Sequence, residues 1–319
     1  MTSLSSVQTA AKSAASDLFD QSALSALAER LVDAARRAGA DAADAVAVRG
    51  ISQSVEIRDG QVEESERSEG DDVGLRVLVG KRQAVVSTND IGGDNVAKLA
   101  ERAVAMARVA PDDNFVGLAD PALLARSFPD LDLLDPDMPS TADLERRAQE
   151  AEAAGLAVQG VTKSGGASAS AGIGGMVLVT STGFHGSYLR SSQGVSMMAI
   201  AGEGTGMERD YDFTSAIHAT DLLSPKDVGR SAGERTVARI NPRKVATCKV
   251  PVVFDPRIAN SLVGHLISAV NGGSIARKTS FLKDKLGQQL FGKGIRVIED
   301  PLRVRGLRSQ TFDAAGVAV

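Results

Sequence analysis

The sequence predicts an α+β fold, in which an N-terminal helix and an antiparallel meander precede a β-rich C-terminal domain. Apolar residues recur at helical spacing from Leu24 to Ala35, which predicts a helix over 22–38 that Ser22 caps and Gly39 ends. Alternating apolar residues then predict strands, and Asp59-Gly60 is typical of a tight hairpin turn because both positions tolerate a positive φ. A helix followed by a meander indicates α+β architecture.

Composition along the 319-residue chain predicts five segments. The Ser/Ala/Thr-rich start is typical of a disordered leader, and a Pro- and Asp-rich stretch is typical of a linker. The predicted segments are a leader at 1–21, an N-terminal α+β domain at 22–110, a linker at 111–139, a middle α+β region at 140–241 and an incomplete β-rich C-terminal domain at 242–319.

The predicted strands are short, because Gly and Ser interrupt the apolar runs. Two helices have distinct starts: Ser140 and Asp143 predict a capping box, and Ser224 precedes Pro225 at a first helical position. The predicted strands are 45–48, 54–58, 61–64, 73–79, 83–87, 172–180, 183–190, 194–202, 250–254 and 295–298, and the later helices are 94–108, 140–155, 224–239 and one after Asp255-Pro256.

Charge and composition exclude several function classes. The net charge of −4 provides no general attraction to nucleic acid or acidic membranes, and only 3% aromatic residues argues against base-stacking surfaces. One cysteine, Cys248, excludes an internal disulfide and fits a reducing compartment. The sequence has neither a signal peptide nor an apolar run of the roughly 18 residues that a membrane span needs, so we expect a cytoplasmic protein.

The residues provide little evidence for a catalytic site. His185, His218 and His265 are far apart, and none has a second ligand at helical or strand spacing. His265 is a weak metal candidate because it lies on a helix after an apolar strand, and Cys248 is more typical of an inert thiol. We therefore predict no catalytic, metal or cofactor-binding residues in this chain.

Other suggestive patterns have ordinary structural interpretations. The segments Gly172–Gly175 and Gly202–Gly206 lack the Lys-Ser/Thr ending of a phosphate loop and are typical of turns or bulges. The acidic pairs Glu63-Glu64 and Asp71-Asp72 are typical of a solvated surface. The basic excess between Lys283 and Arg308 indicates a solvated or subunit-facing surface.

Several segments, in order, resemble the TldD/TldE (PmbA) family, historically labelled modulators of DNA gyrase. The resemblance covers about residues 24 to 319. Its segments are VEIRDGQVEESERSEGDDVGLRVLVGKRQAVVSTND at 55–90, DLLSPKDVGRSAGERTVARINPRKVATCKVPVVFDP at 221–256, TSFLKDKLGQQLF at 279–291 and IEDPLRVRGLRSQTFDAAG at 298–316.

The resemblance implies a metallopeptidase complex, in which a TldD-type subunit carries an HExxxH zinc helix and a TldE/PmbA-type subunit lacks it. Counted from His265, this chain has Leu266 at the Glu position and Val270 at the second His position. The resemblance therefore implies a non-catalytic TldE/PmbA-type subunit. Zinc is expected in a TldD-type partner, and the substrate is expected to be an unfolded peptide.

The resemblance also implies a longer C-terminal domain, because family members continue beyond the segment at Phe312–Gly316. An incomplete sheet would leave an exposed edge, and a homodimer is an additional expected assembly. Two alternatives stay open at this stage. The chain is a peptide-binding regulator without a protease partner, or a hydrolase with an unrecognised site.

Overall fold

The computed structural model describes residues 20–90 and 95–319, so the predicted leader lies almost entirely outside the described residues. The chain divides into two compact units. Unit 1 comprises residues 1–242 and 301–319, and unit 2 comprises residues 243–300. Each is described separately.

Unit 1 contains one six-stranded antiparallel sheet in the order β3-β2-β1-β4-β5-β6. Its central strand β1 pairs with β2 along one edge and with β4 along the other, so residues of 42–88 and 161–216 form a single sheet. The strands are β1 (Ala42–Arg58), β2 (Gln61–Val79), β3 (Arg82–Thr88), β4 (Val161–Thr180), β5 (His185–Ala201) and β6 (Glu208–Ala216).

Four helices of unit 1 pack on one face of this sheet in two pairs, and they bury Ala43, Ala45, Ala47, Val55 and Ile57 of β1. The first pair, with its strand residues, forms a core of Leu, Val and Ala, and the second pair covers the other end of the sheet. The helices are α1 (Ser22–Arg37) and α2 (Val96–Val109) in the first pair, and α3 (Thr141–Leu156) and α4 (Pro225–Val237) in the second.

The opposite face is covered mainly at one end. There Phe184 and Phe312 pack edge to face with ring centroids 5.2 Å apart, and Leu178 of β4 is buried beneath them. The backbone amide of Ala125 donates to Gly316, which ties residues 301–319 to this end of unit 1. We call the side of the sheet opposite the four helices the open face.

The α+β class predicted from the sequence is confirmed, together with most helix starts. Ser140 and Asp143 form the predicted capping box, and Ser224 caps α4 with Pro225 at its first position. Gly39 follows α1 with φ +99°. The cap of α1 was predicted wrongly, because Gln21 occupies that position and Ser22 is the first helical residue.

The strand lengths were also predicted wrongly. The segments 45–48 and 54–58 belong to the single 17-residue strand β1, and 61–64 and 73–79 belong to the 19-residue strand β2. Glycines do not end these strands because the ladder continues on both sides of them: Gly50 pairs with Gly70 and Gly174. The pairing of β1 with two neighbours, and of β2 with β1 along nearly its whole length, outweighs the low strand propensity of Gly and Ser.

The strands predicted at 250–254 and 295–298 were wrong as well. Neither segment of unit 2 has regular secondary structure or a ladder partner, and Val253 is 95% exposed. Unit 2 contains the helices α5 (Pro256–Val270) and α6 (Gly272–Ala276), joined and followed by turns. The β-rich character predicted for 242–319 is thus limited, in the part of the chain that the structure describes, to isolated bridges involving Phe312 and Val317.

Candidate functional site

Helix α5 carries His265, the weak metal candidate of the sequence analysis. Its start is fixed locally, because the Asp255 carboxylate accepts a hydrogen bond from the Arg257 amide and Pro256 occupies the first helical position. His265 lies exposed at the tenth of the fifteen positions of the helix, without a hydrogen-bond partner in the described ranges 20–90 and 95–319. Leu266 and Val270 lie near it with hydrocarbon side chains that cannot bind a metal.

The other two histidines have polar partners in unit 1. His185 is half-exposed, with Nε2 at 3.2 Å from Ser25 Oγ and Nδ1 at 3.5 Å from Glu29. His218 is nearly buried, and its Nε2 lies 3.1 Å from the backbone carbonyl of Asp132 and 3.1 Å from that residue's carboxylate. Both histidines thus have ordinary structural surroundings.

The residues present do not fit a zinc site. Zinc in peptidases takes three protein ligands from His, Asp, Glu or Cys and keeps a further position open. Within residues 20–90 and 95–319, no group of three such side chains is close enough together to hold a metal ion. Cys248 of unit 2 is an exposed, free thiol.

The glycine-rich segments form no phosphate loop. Gly172–Gly175 lie in the middle of β4 without a register shift, so the turn or bulge predicted there was wrong, because pairing with β1 and β5 keeps the strand continuous. Gly202 follows β5 with φ +83°, and a Cβ there would lie 2.6 Å from the Gly206 carbonyl oxygen, so this segment is a tight turn as predicted.

A surface of small residues lies on the open face where no aromatic cluster covers it. Three consecutive cross-strand rows on β1, β4 and β5 contain almost only Ser and Gly. The rows are Gly50–Gly174–Arg190, Ser52–Gly172–Ser192 and Ser54–Ser170–Gly194. In the Gly50 row the Arg190 guanidinium donates to the Leu307 and Ser309 carbonyls, so the other two rows form the flat part of this surface, where another backbone can approach closely.

A buried carboxylate that sequence reasoning missed holds the β1–β2 hairpin in place. Glu152 of α3 is 2% exposed, and its two carboxylate oxygens accept hydrogen bonds from the backbone amides of Asp59 and Gly60 at 2.9 and 2.8 Å. The Ser164 hydroxyl donates to the same carboxylate at 2.5 Å. The only sequence signal was a glutamate on the apolar face of a predicted helix, near Ala148 and Ala151.

Part of the basic stretch 283–308 has a structural role in unit 1. Arg305 donates to Asp132 at 2.6 Å and to Asp221 at 3.1 Å, and its backbone amide donates to Leu131 at 2.8 Å. The hydrogen bond from Arg305 holds the pKa of the Asp132 carboxyl below its ordinary value, and His218 adds a smaller effect in the same direction. These contacts fix the segment after residue 300 against the linker.

Comparison with known proteins identifies the family. Three profiles of one family match consecutive parts of the chain: "PmbA/TldA metallopeptidase domain 1" over 43–107, the "central domain" over 134–240 and the "C-terminal domain" over 247–319. The chain belongs to the PmbA/TldD family. This result confirms the resemblance that the sequence segments indicated.

Relatives agree with this assignment. The chain is 35% identical over 278 residues to "Metalloprotease PmbA" of Escherichia coli O157:H7, covering 87% of this chain and 62% of that protein. It is 34% identical to a "Metalloprotease PmbA homolog" of Haemophilus influenzae, covering 90% and 63%. The chain thus spans less than two thirds of the length of these PmbA relatives.

Solved structures show the same fold. A putative modulator of DNA gyrase from Bacteroides thetaiotaomicron superposes with a TM-score of 0.85 at 25% identity, covering 92% of this chain and 67% of that one. TldE from Thermococcus kodakarensis superposes with a TM-score of 0.70 at 18% identity, covering 92% and 66%. In the described residues, no helix has the length and apolar character needed to cross a membrane.

Proposed function

We propose that this chain is the non-catalytic TldE/PmbA-type subunit of a zinc metallopeptidase complex that cleaves unfolded peptides in the cytoplasm. The observation that supports the proposal is the donor set of α5, where His265 is followed by Leu266 and Val270 in place of a base and a second ligand. One imidazole on an exposed helix cannot hold zinc in a peptidase geometry.

In this proposal the zinc and the general base come from an HExxxH partner of the same family. The contribution of this chain is to bind and orient the peptide. The low open face around Ser52, Gly172 and Ser192 supports this role, since a surface without long side chains allows an extended backbone to approach closely.

The test is co-expression of this chain with the HExxxH homologue from the same genome, followed by purification through a tag on this chain alone. We expect a stable complex with zinc bound in the partner and cleavage of an unfolded peptide that neither chain cleaves alone. A partner in which both His of the motif are replaced by Ala is the control, and it should copurify without activity.

Two results would overturn the proposal. The first is a lack of association, or full peptidase activity in the partner alone. The second is stoichiometric zinc in this chain, with peptidase activity lost in His265→Ala, which would favour the alternative of a hydrolase in its own right.

A further inference from the structure

Strand β2 is longer than its outer neighbour, and this leaves part of the sheet edge open. β3 pairs with Val73–Val79 of β2, whereas β1 pairs with β2 from Gln61 onward. Residues 61–72 therefore have a ladder partner on one side, and among the described residues no backbone hydrogen bond reaches their other side. We call residues 61–72 of β2 the open edge. Its residues are exposed, apart from half-buried Asp71.

The open edge is strongly acidic, with six carboxylates and one arginine in twelve residues. Some of these charges are compensated by ion pairs. The pairs are Arg58–Glu63 at 2.9 Å, Arg67–Glu69 at 2.5 Å and Arg49–Asp71 at 2.6 Å.

The remaining carboxylates, Glu64, Glu66 and Asp72, belong to the row that points to the open face, and no cation pairs with them within residues 20–90 and 95–319. Glu64 also lies directly opposite Glu56 on β1, whose carboxylate Arg58 contacts at 3.8 Å in a long, exposed ion pair that contributes little. Like charges in directly opposed positions destabilise a sheet, so a cation brought to this row would relieve an existing repulsion.

The same charge pattern disfavours a second copy of the chain as the occupant. Edge-to-edge pairing of two copies would bring two strands together that each carry an excess of five negative charges. Charged residues on a sheet edge are a known protection against self-association. A strand with positive side chains meets no such repulsion and completes the backbone ladder.

We propose that the open edge binds an extended, cationic segment of an unfolded peptide as an added strand. The peptide backbone supplies the missing ladder hydrogen bonds, and Lys or Arg at alternate peptide positions lie beside Glu64, Glu66 and Asp72. The inference rests on the proposed function and deepens it, because it places the bound peptide at the β2 edge that adjoins the small residues of the open face and names the charge of the preferred segment.

Binding is measured by fluorescence anisotropy with this chain alone and three labelled twelve-residue peptides. The first alternates Lys and Thr, the second alternates Glu and Thr, and the third is the Lys peptide with N-methyl groups at alternate backbone nitrogens. We expect the Lys peptide to bind at least tenfold more tightly than the Glu peptide. N-methylation should weaken its binding at least tenfold, because it removes backbone donors and leaves the charge unchanged.

A charge reversal on the open edge provides the second arm. The double variant Glu64→Lys/Glu66→Lys should bind the Lys peptide at least tenfold more weakly. Glu101→Lys/Glu203→Lys is the matched control, because it changes the net charge equally at exposed positions on α2 and in the β5–β6 turn, and its affinity should stay within twofold of the parent chain.

Three outcomes would overturn the inference: equal binding of the Lys and Glu peptides, unweakened binding of the N-methylated peptide, or equal loss in the control variant. A dimer of this chain that the Lys peptide dissociates in sedimentation velocity would assign the open edge to a second copy instead. If the charge-reversal variant does not fold, the N-methylated peptide decides the question with the parent chain.

Failure of this inference and failure of the proposed function are distinguishable. Anisotropy with the isolated chain requires neither a partner nor cleavage, whereas the proposed function is tested by copurification and peptidase activity. A complex that cleaves peptides while the open edge binds none would overturn only the inference.

Discussion

The two units of this chain differ in how their apolar residues are used. Along the strands of unit 1, buried positions alternate with more exposed ones, and the core residues Leu24, Leu75 and Leu144 are at most 2% exposed. In residues 243–300, Ala269 and Ser280 are the buried residues, and the apolar residues of α5 such as Ile258 and Leu262 remain about half exposed.

This difference separates local from non-local determinants of structure. Helix α5 forms although it buries little, because its Asp255 cap and Pro256 are signals within the helix itself. The apolar run 250–254 in the same unit forms no strand, because a strand is completed by partners elsewhere in the chain. Apolar composition alone therefore predicts neither burial nor strand pairing.

The largest expected effect compares a leucine of each unit. Leu144→Ala in α3 should lower the free energy of unfolding by about 3 kcal/mol, because Leu144 is fully buried and its truncation leaves a cavity. Leu262→Ala in α5 should change it by less than about 0.5 kcal/mol, since Leu262 is 50% exposed. Urea unfolding followed by far-UV circular dichroism measures both, as the chain has no Trp. Equal losses would contradict the contrast between the units.

Two helical glycines should respond in opposite directions. Gly229 lies where α4 crosses α3, and a Cβ there would lie 1.9 Å from the Ala151 carbonyl oxygen, so Gly229→Ala should destabilise by about 2 kcal/mol. A Cβ at Gly264 in α5 would have no neighbouring atom within 4 Å, so Gly264→Ala should stabilise the chain by about 0.5–1 kcal/mol. The same urea measurement decides, and a loss in both variants would show that α5 is packed at Gly264.

Sequence patterns predicted what depends on neighbouring residues. The Asp59-Gly60 turn has both residues at positive φ, and the capping box at Ser140 forms as predicted. The sheet order could not be predicted in this way, because β1 pairs with β4 across more than one hundred residues. The helix face and the open face follow from that pairing.

Residue types alone indicated the local features of the candidate site. The α5 helix and its single His265 are visible in the sequence, and so are the acids of 61–72. Those acids lie on an open edge because the pairing of β3 with β2 ends at Thr88, opposite Val73. The residue types of the two strands do not indicate where this pairing ends. Glu152 was missed for the same reason, since its partners at Asp59 and Gly60 lie about ninety residues away.

A smaller effect is expected when the link between α3 and the hairpin turn is weakened. Glu152→Gln replaces one accepting oxygen by an amide donor beside two backbone amides, so it should destabilise the chain by about 1–2 kcal/mol. Hydrogen exchange should accelerate at the Asp59 and Gly60 amides before it does at the amides of the preceding strand β1. Glu101→Gln, at an exposed site on α2, is the control and should leave both amides unchanged.

The smallest effect concerns acid and the contact between Asp132 and Arg305. The hydrogen bond from Arg305 lowers the pKa of Asp132 below 3.8, so the carboxylate stabilises the folded state above that value, and its contribution is lost as the pH falls through the lowered pKa. His218 faces the same carboxylate, and Asp221 shares the Arg305 guanidinium.

Hydrogen exchange of the Arg305 amide, which donates to Leu131, reports this loss directly. Its protection should decrease between about pH 4 and pH 2, measured against the Leu75 amide of β2, a strand position with partners on both sides and outside this contact. Asp132→Asn is the matched variant, because Asn tolerates the φ of +50° at this position and has no charge to lose. It should show reduced protection of Arg305 at every pH without the acid-dependent step. An unchanged step in Asp132→Asn would show that the acid-dependent loss does not come from the Asp132 carboxylate.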